Sequence, residues 1–208
     1  MIALIDYGLG NIQAFVNLYQ RLHIPVMVAR TPEQIFEAEK LILPGVGHFD
    51  HAMQLFNHSG LRCAVEKQVL DNNVPVLGIC VGMQMLARRS DEGTEAGLGW
   101  IDAEVRALKN VMPVGSDLSL PHMGWNDISP NLDSDLFKDF DKSDSRFYFL
   151  HSFYFDCDDN IRSSIATAEY GQVFCCAANY KRIYGVQFHP EKSHHFGQRL
   201  LKNFAEYG

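Results

Sequence analysis

The sequence predicts an α/β fold with a mostly parallel sheet, and three features of the chain point to it. Short apolar runs at residues 2–5, 25–29, 40–43 and 74–77 alternate with segments of helical apolar period, as strands joined by crossover helices do. The run at 74–77 is β-branched and aliphatic, suited to a strand covered on both faces. Glycine-rich turns follow the first, third and fourth runs, at the edge where open α/β sheets gather their ligands. A chain of 208 residues can bury a sizeable core, and no repeat or low-complexity tract marks a linker, so one domain over 1–208 is expected.

Residues 2–5 form the first strand, and Asp6-Tyr7-Gly8-Leu9-Gly10-Asn11 turns into a helix whose apolar period runs through Ile12, Phe15, Val16 and Leu22. Gly8 and Gly10 invite a dinucleotide reading, but Gln13 stands in the place of the third glycine. A tight turn packing a helix on the sheet is preferred, and no cofactor is expected. Residues 25–29 read as the second strand, Thr31-Pro32-Glu33 as an N-cap with Pro at N1, and 40–43 as the third strand. Pro44-Gly45-Val46-Gly47 then lies at the carboxyl end of a strand. It is either a plain turn or a loop whose backbone amide faces a substrate oxygen, the peptide between Gly45 and Val46 being free to turn. His48 and His51 lack a third ligand and an H-E-x-x-H pattern, so a solvated helix start is preferred and no metal is expected. A further helix covers 61–70.

After the fourth strand comes Gly78-Ile79-Cys80-Val81-Gly82, the cysteine form of the G-x-S-x-G elbow, with a helix beginning near Met83 and Arg88 and Arg89 placed at its C-terminus. Cys80 is either a nucleophile facing backbone amides and a helix dipole, or a small buried thiol that packs. Beyond Ser90 the βα alternation stops. An excursion with edge strands is expected, with a strand-like piece at 100–108, the dense cluster Pro121-His122-Met123-Gly124-Trp125-Asn126, and an aromatic strand at 147–154. His122 and His151 read equally well as core histidines. Residues 173–178 and 182–188 form two strands joined by a turn at Tyr180-Lys181, and a helix runs from about Ser193 to the end.

The last strand ends in Phe188-His189-Pro190-Glu191. Pro190 keeps His189 out of helical φ/ψ, which places His189 and Glu191 two apart on an extended segment with side chains on one side. A carboxylate holding one imidazole nitrogen leaves the other free to take a thiol proton, although a lone strand-end His is more often structural.

The net charge of −7, with Lys and Arg dispersed, argues against a nucleic-acid surface. Five cysteines without a C-x-x-C pair fit reduced thiols, and a cytoplasmic location is expected. No basic n-region and no run of about 18 apolar residues indicates secretion or a membrane.

Taken together, LGICVGMQ, PGVG and GVQFHPEKS resemble the class I (triad-type) glutamine amidotransferases. PHMGWN, the stretch around FLHSF, DYGLGNI and LLKNF narrow the resemblance to glutaminase subunits that work beside a cyclase in histidine biosynthesis, and it covers nearly the whole chain. The resemblance implies a flavodoxin-like three-layer sandwich, with helices on both faces of a mostly parallel central sheet and a small antiparallel excursion. It implies Cys80 as nucleophile, His189 as base then acid, Glu191 as its orienter, and the Val46 and Val81 amides as oxyanion hole. Gly47, Gln84 and the backbone of His151, Ser152 and Phe153 would hold L-glutamine. The partner would be the cyclase, a (β/α)8 barrel forming a heterodimer through Asn126 and Lys192. Val81 and Phe153 stand where the family usually has Leu and Tyr, and neither change removes a catalytic group. Similar chains feed a sugar-amidating enzyme in surface-polysaccharide synthesis, and PHMGWN is common to both branches.

Overall fold

The computed structural model describes residues 1–113, 115, 117–142, 144–157 and 163–208. Its first half winds through β1 (Ile2–Ile5), α1 (Ile12–Arg21), β2 (Val26–Ala29), α2 (Pro32–Phe36), β3 (Lys40–Gly45), α3 (Phe49–His58), α4 (Arg62–Glu66), β4 (Val76–Cys80) and α5 (Val81–Met85). Its second half runs through β5 (Ala103–Ala107), β6 (His122–Pro130), β7 (Arg146–His151), β8 (Phe153–Cys157), β9 (Ser164–Glu169), β10 (Val173–Tyr180), β11 (Ile183–Val186) and α6 (His194–Glu206). The strands lie in the order β2-β1-β3-β4-β11-β10-β9-β6-β7, with β8 attached to β10 and β5 to β8.

β1 is parallel to β2 and β3, β3 to β4, and β4 to β11. Every residue of β1, β4 and β11 is buried, as the continuous apolar runs require of strands covered on both faces. With the strand order β2-β1-β3-β4, the right-handed crossover rule puts α1 on one face and α2 to α4 on the other. α1 and α6 pack together, with the Tyr19 hydroxyl donating to Leu201 O at 3.2 Å, while α3 packs on α4 and α5. Thr31 caps α2 reciprocally with Gln34, and Pro32 stands at its first turn. The anticipated helix at 61–70 is α4 followed by a π turn over Lys67–Asp71.

The antiparallel portion extends past the excursion read from the sequence. β6 and β9, not marked as strands there, complete it, with Ile128 opposite Ala168 and His122 opposite His151. The aromatic strand expected at 147–154 is two strands broken at Ser152, because β7 pairs with β6 whereas β8 pairs with β5. Phe147 and Phe149 point inward from β7 and stack with Phe188 at 4.0 Å and edge-on at 5.6 Å. Burying each such ring contributes about 1.5–3 kcal/mol. α5 ends at Met85, so Arg88 and Arg89 do not close it. They pair with Asp102 and Glu104 instead. No helix among the described residues is long and apolar enough to cross a membrane.

Candidate active site

The elbow is a close meeting of backbones. Cys80 joins β4 to α5 with φ 54° and ψ −112°, a left-handed twist that costs a non-glycine residue on the order of 1–3 kcal/mol. The flanking glycines are required by contact, since a Cβ on Gly82 would lie 2.0 Å from Leu43 O and one on Gly78 2.6 Å from Gly82 O. The twist lifts the thiol out of the sheet, where it donates to Leu150 O at 3.9 Å and accepts from Gln187 Nε2 at 3.8 Å.

His189 follows β11 in an extended conformation, φ −103° and ψ 94°. Glu191 does not continue that extension. Pro190–Lys192 form a 3-10 turn, Pro190 being suited to its first position, and the turn brings Glu191 Oε1 to 2.9 Å from His189 Nδ1. The ring is held further by its own main chain. The His189 N–H donates to Tyr148 O at 2.8 Å, and Ser193 Oγ donates to His189 O at 2.6 Å while accepting from the Tyr148 N–H at 2.9 Å. Burial opposes a charged imidazole here, but the neighbouring Cys80 sulfur and the Glu191 carboxylate that accepts from Nδ1 outweigh it and raise the His189 pKa to about 10. His189 thus carries a proton beside the thiol at neutral pH, the partner a thiolate needs.

The loop after β3 is pinned from two sides. Gly45 pairs with Cys80 in register, and the Tyr7 hydroxyl donates to Pro44 O at 2.7 Å. The Gly8 and Gly10 turn packs against the same loop, a Cβ on Gly10 falling 2.6 Å from Pro44 Cβ. Gly45 is therefore a glycine because the elbow leaves no room for a side chain, its Cβ site lying 2.3 Å from Gly82 N. The residue with a left-handed backbone is Gly47, at φ +87° and facing open space. His48 is the N-cap of α3, Nδ1 accepting from the Asp50 N–H at 3.2 Å.

A cleft of about 310 Å³ opens over Cys80. Val46, Gly47, Val81, Gln84, His151, Ser152, Phe153, His189 and Lys192 line it. Glu191 stands behind His189, its side chain only 2% exposed, and its Oε2 has no hydrogen-bond partner among the described residues. Asn126 does not reach the cleft; its Nδ2 donates to Glu169 O at 2.8 Å and lies 3.3 Å from His122 Nε2. Glu92 also lines the cleft, and no motif in the sequence singled it out.

A family model described as glutamine amidotransferase class-I matches residues 3–206. The chain belongs to the class I glutamine amidotransferases. This amidotransferase is 59% identical over 206 residues to the imidazole glycerol phosphate synthase subunit HisH of Bdellovibrio bacteriovorus, a match covering 99% of this chain and 100% of that one. It is 46% identical over 210 residues to subunit HisH 2 of Pseudomonas aeruginosa, covering 99% of each. Among solved structures, PurLQS from Thermotoga maritima superposes with a TM-score of 0.74 at 14% identity, over 99% of this chain and 97% of that one. A structure described as glutamine amidotransferase gives 0.72 at 20%, again over 99% and 97%. These structures share the amidotransferase fold.

Proposed function

We propose that the chain hydrolyses L-glutamine and passes the ammonia to a cyclase subunit, a (β/α)8 barrel, the two forming an imidazole glycerol phosphate synthase of histidine biosynthesis. One observation carries this reading. An elbow thiol, an imidazole backed by a buried carboxylate, and a glycine loop at the end of the neighbouring strand meet at a single cleft. The relatives' name as HisH subunits supports the choice of pathway and partner.

In the proposed reaction the Cys80 thiolate attacks the side-chain carbonyl carbon of glutamine, and the Val46 and Val81 amides stabilise the oxyanion. His189, oriented by Glu191, gives its proton to the nitrogen as the C–N bond breaks. Ammonia leaves and a γ-glutamyl thioester remains. Water then loses a proton to His189 while its oxygen attacks the thioester, the C–S bond breaks, and glutamate leaves with the thiolate restored. Gly47, Gln84 and the backbone of His151, Ser152 and Phe153 hold the substrate. Gln84 Nε2 is committed to Phe153 O at 3.3 Å and Gln187 Oε1 at 3.0 Å, which leaves its carbonyl oxygen for a substrate donor. The Glu92 carboxylate in the same cleft suits the α-ammonium of an amino acid.

The partner covers the cleft mouth. Leu150 and Lys192 line the cleft, Lys192 sitting 5.7 Å over the Tyr148 ring, and Met123 and Trp125 are exposed on β6 opposite Leu150 and Tyr148. Asn126 and Lys192 lie at that interface in this reading.

Cys80→Ala tests the assignment in the complex. Glutamine hydrolysis should fall by roughly 10⁴-fold or more, as when other triad hydrolases lose their nucleophile. Added ammonium salts should still support the partner's reaction. Substantial glutaminase activity in this variant would remove Cys80 from its role.

A further inference from the structure

β6 and β7 place two histidines directly opposite one another, and the triad uses neither. His122 Nδ1 lies 2.9 Å from His151 Nε2, and His151 Nδ1 lies 2.8 Å from Phe153 O. At the other end, His122 Nε2 faces Asn126 Nδ2 at 3.3 Å, and that same Nδ2 is 2.8 Å from Glu169 O.

The polarity of this row is fixed by its ends. Both are main-chain carbonyls, which only accept. Phe153 O therefore requires the His151 proton on Nδ1, so a neutral His151 presents a bare Nε2. That bare nitrogen requires the His122 proton on Nδ1, so His122 presents a bare Nε2 in turn. Glu169 O requires Asn126 to turn its NH2 inward, and the second hydrogen of that NH2 is the donor His122 Nε2 needs. Each donor meets one acceptor, and a proton added anywhere along the row would set two donors face to face.

We infer that Asn126, His122 and His151 form a one-way hydrogen-bond relay in which His122 is a positioning residue, holding the His151, Ser152 and Phe153 segment in the geometry that binds glutamine. The inference rests on the proposed reading of that segment as part of the glutamine site. The surroundings favour neutral rings and a fixed tilt. His122 is stacked between Tyr170, at 4.0 Å, and Phe149, at 4.9 Å, and His151 packs on Phe174 at 5.3 Å. Burial lowers the His122 pKa to about 4. It also lowers that of His151 to about 3, against the pull of the Phe153 carbonyl and helped by the neighbouring His122 and His189. At the far end, Phe153 O also accepts from Gln84 Nε2, so the relay and the elbow helix grip the same peptide. Asn126 holds the near end on the strand that exposes Met123 and Trp125.

The first test is tautomer assignment in the full chain, labelled with ¹⁵N-histidine, by long-range ¹H–¹⁵N correlation at pH 7. His122 and His151 should both be neutral with the proton on Nδ1. A proton on Nε2 of either ring, or a charged ring, would overturn the relay whether or not the chain hydrolyses glutamine. The second test is kinetic and uses the complex with its partner. His122→Phe keeps the stacked shape and removes donor and acceptor together. It should raise the KM for glutamine about tenfold, the worth of one buried hydrogen bond, with kcat changed less than about threefold. His122→Asn offers a donor near the Nδ1 position and should recover most of the affinity. An unchanged KM in the Phe variant, or equal losses in both variants, would show a packing role only. Absence of glutamine hydrolysis in the wild-type complex would instead count against the proposed function and leave the tautomer result standing.

Discussion

His189 carries two opposing demands. Burial makes its charged form costly, yet Cys80 and Glu191 between them stabilise the imidazolium enough to hold the pKa near 10. The proton needed by the leaving nitrogen is therefore already on the ring before glutamine is attacked. Glu191 supplies part of this from a site where its own Oε2 has no other partner among the described residues, so its charge is directed onto the imidazole. Because the pKa rises on folding, this stabilisation is complete below the unfolded value of about 6.5. It is lost as pH climbs through about 10. In the resting chain, ¹⁵N shifts of His189 should report an imidazolium at pH 7 that titrates near pH 10. Glu191→Gln removes both the charge and a strong acceptor. It should lower that midpoint and flatten the decline of the urea midpoint between pH 7 and 10. A His189 midpoint unmoved by Glu191→Gln would mean that Cys80 alone holds the proton.

At the scale of elements, the loop after β3 and the elbow after β4 behave as one unit, because their backbones touch with no side chain between them. Gly45→Ala should therefore act on stability first. Its Cβ would press on Gly82 N from 2.3 Å, an overpacking that costs about 1–3 kcal/mol. Gly47→Ala meets no atom within 4 Å and loses only the ease of a positive φ, about 1–2 kcal/mol. Its larger effect belongs to the glutamine site, since an L residue there restricts the Val46–Gly47 peptide, which lies next to the peptide carrying the proposed Val46 donor. Urea midpoints and activated kcat should be measured on both variants; a Gly45→Ala chain as stable as the wild type would contradict the contact argument. The sequence offered Gly45 as a residue that frees the Gly45–Val46 peptide to turn; the folded sheet adds that Gly45 is also held by a neighbour 37 residues away in the chain, while the positive φ is at Gly47.

The same distinction governs what else was legible. β1, β3 and β4 were readable because a strand buried on both faces writes itself as an apolar run, and Cys80 and His189 were readable because each stands in a local motif. β6 carries Gly124, Asn126, Asp127 and Pro130, residues that argue against a strand, and β9 reads SIATAE without clear alternation. Both exist because neighbouring strands accept them. The pairing of His122 with His151 is set by the register of β6 on β7 and has no local signature.

For the whole molecule, the decisive feature is that one group of exposed apolar side chains, Met123 and Trp125 of β6, stands opposite Leu150 and Tyr148 of β7, and Leu150 lines the cleft. Met123 is 66% exposed and Trp125 44%, and Leu150 and Lys192 line the cleft itself. Ammonia released into water at pH 7 becomes mostly ammonium and loses its nucleophilicity, so hydrolysis is useful only while an acceptor covers the cleft mouth. A chain that ran freely would waste glutamine. The loop bearing Val46 offers the gate, being flanked by Gly47 and open to the cleft, and one misdirected oxyanion donor lowers a rate by on the order of 10²–10³-fold. Glutamine turnover should thus be lowest for the chain alone, higher with the bare partner subunit, and highest when that partner, proposed to be the cyclase, holds its own substrate. Lys192→Glu reverses a charge at the proposed interface and leaves His189 and Glu191 in place, so it should weaken the complex or blunt the last step of activation. Three equal rates would exclude gating, and a Lys192→Glu chain with unchanged affinity and unchanged activation would move the partner to another face.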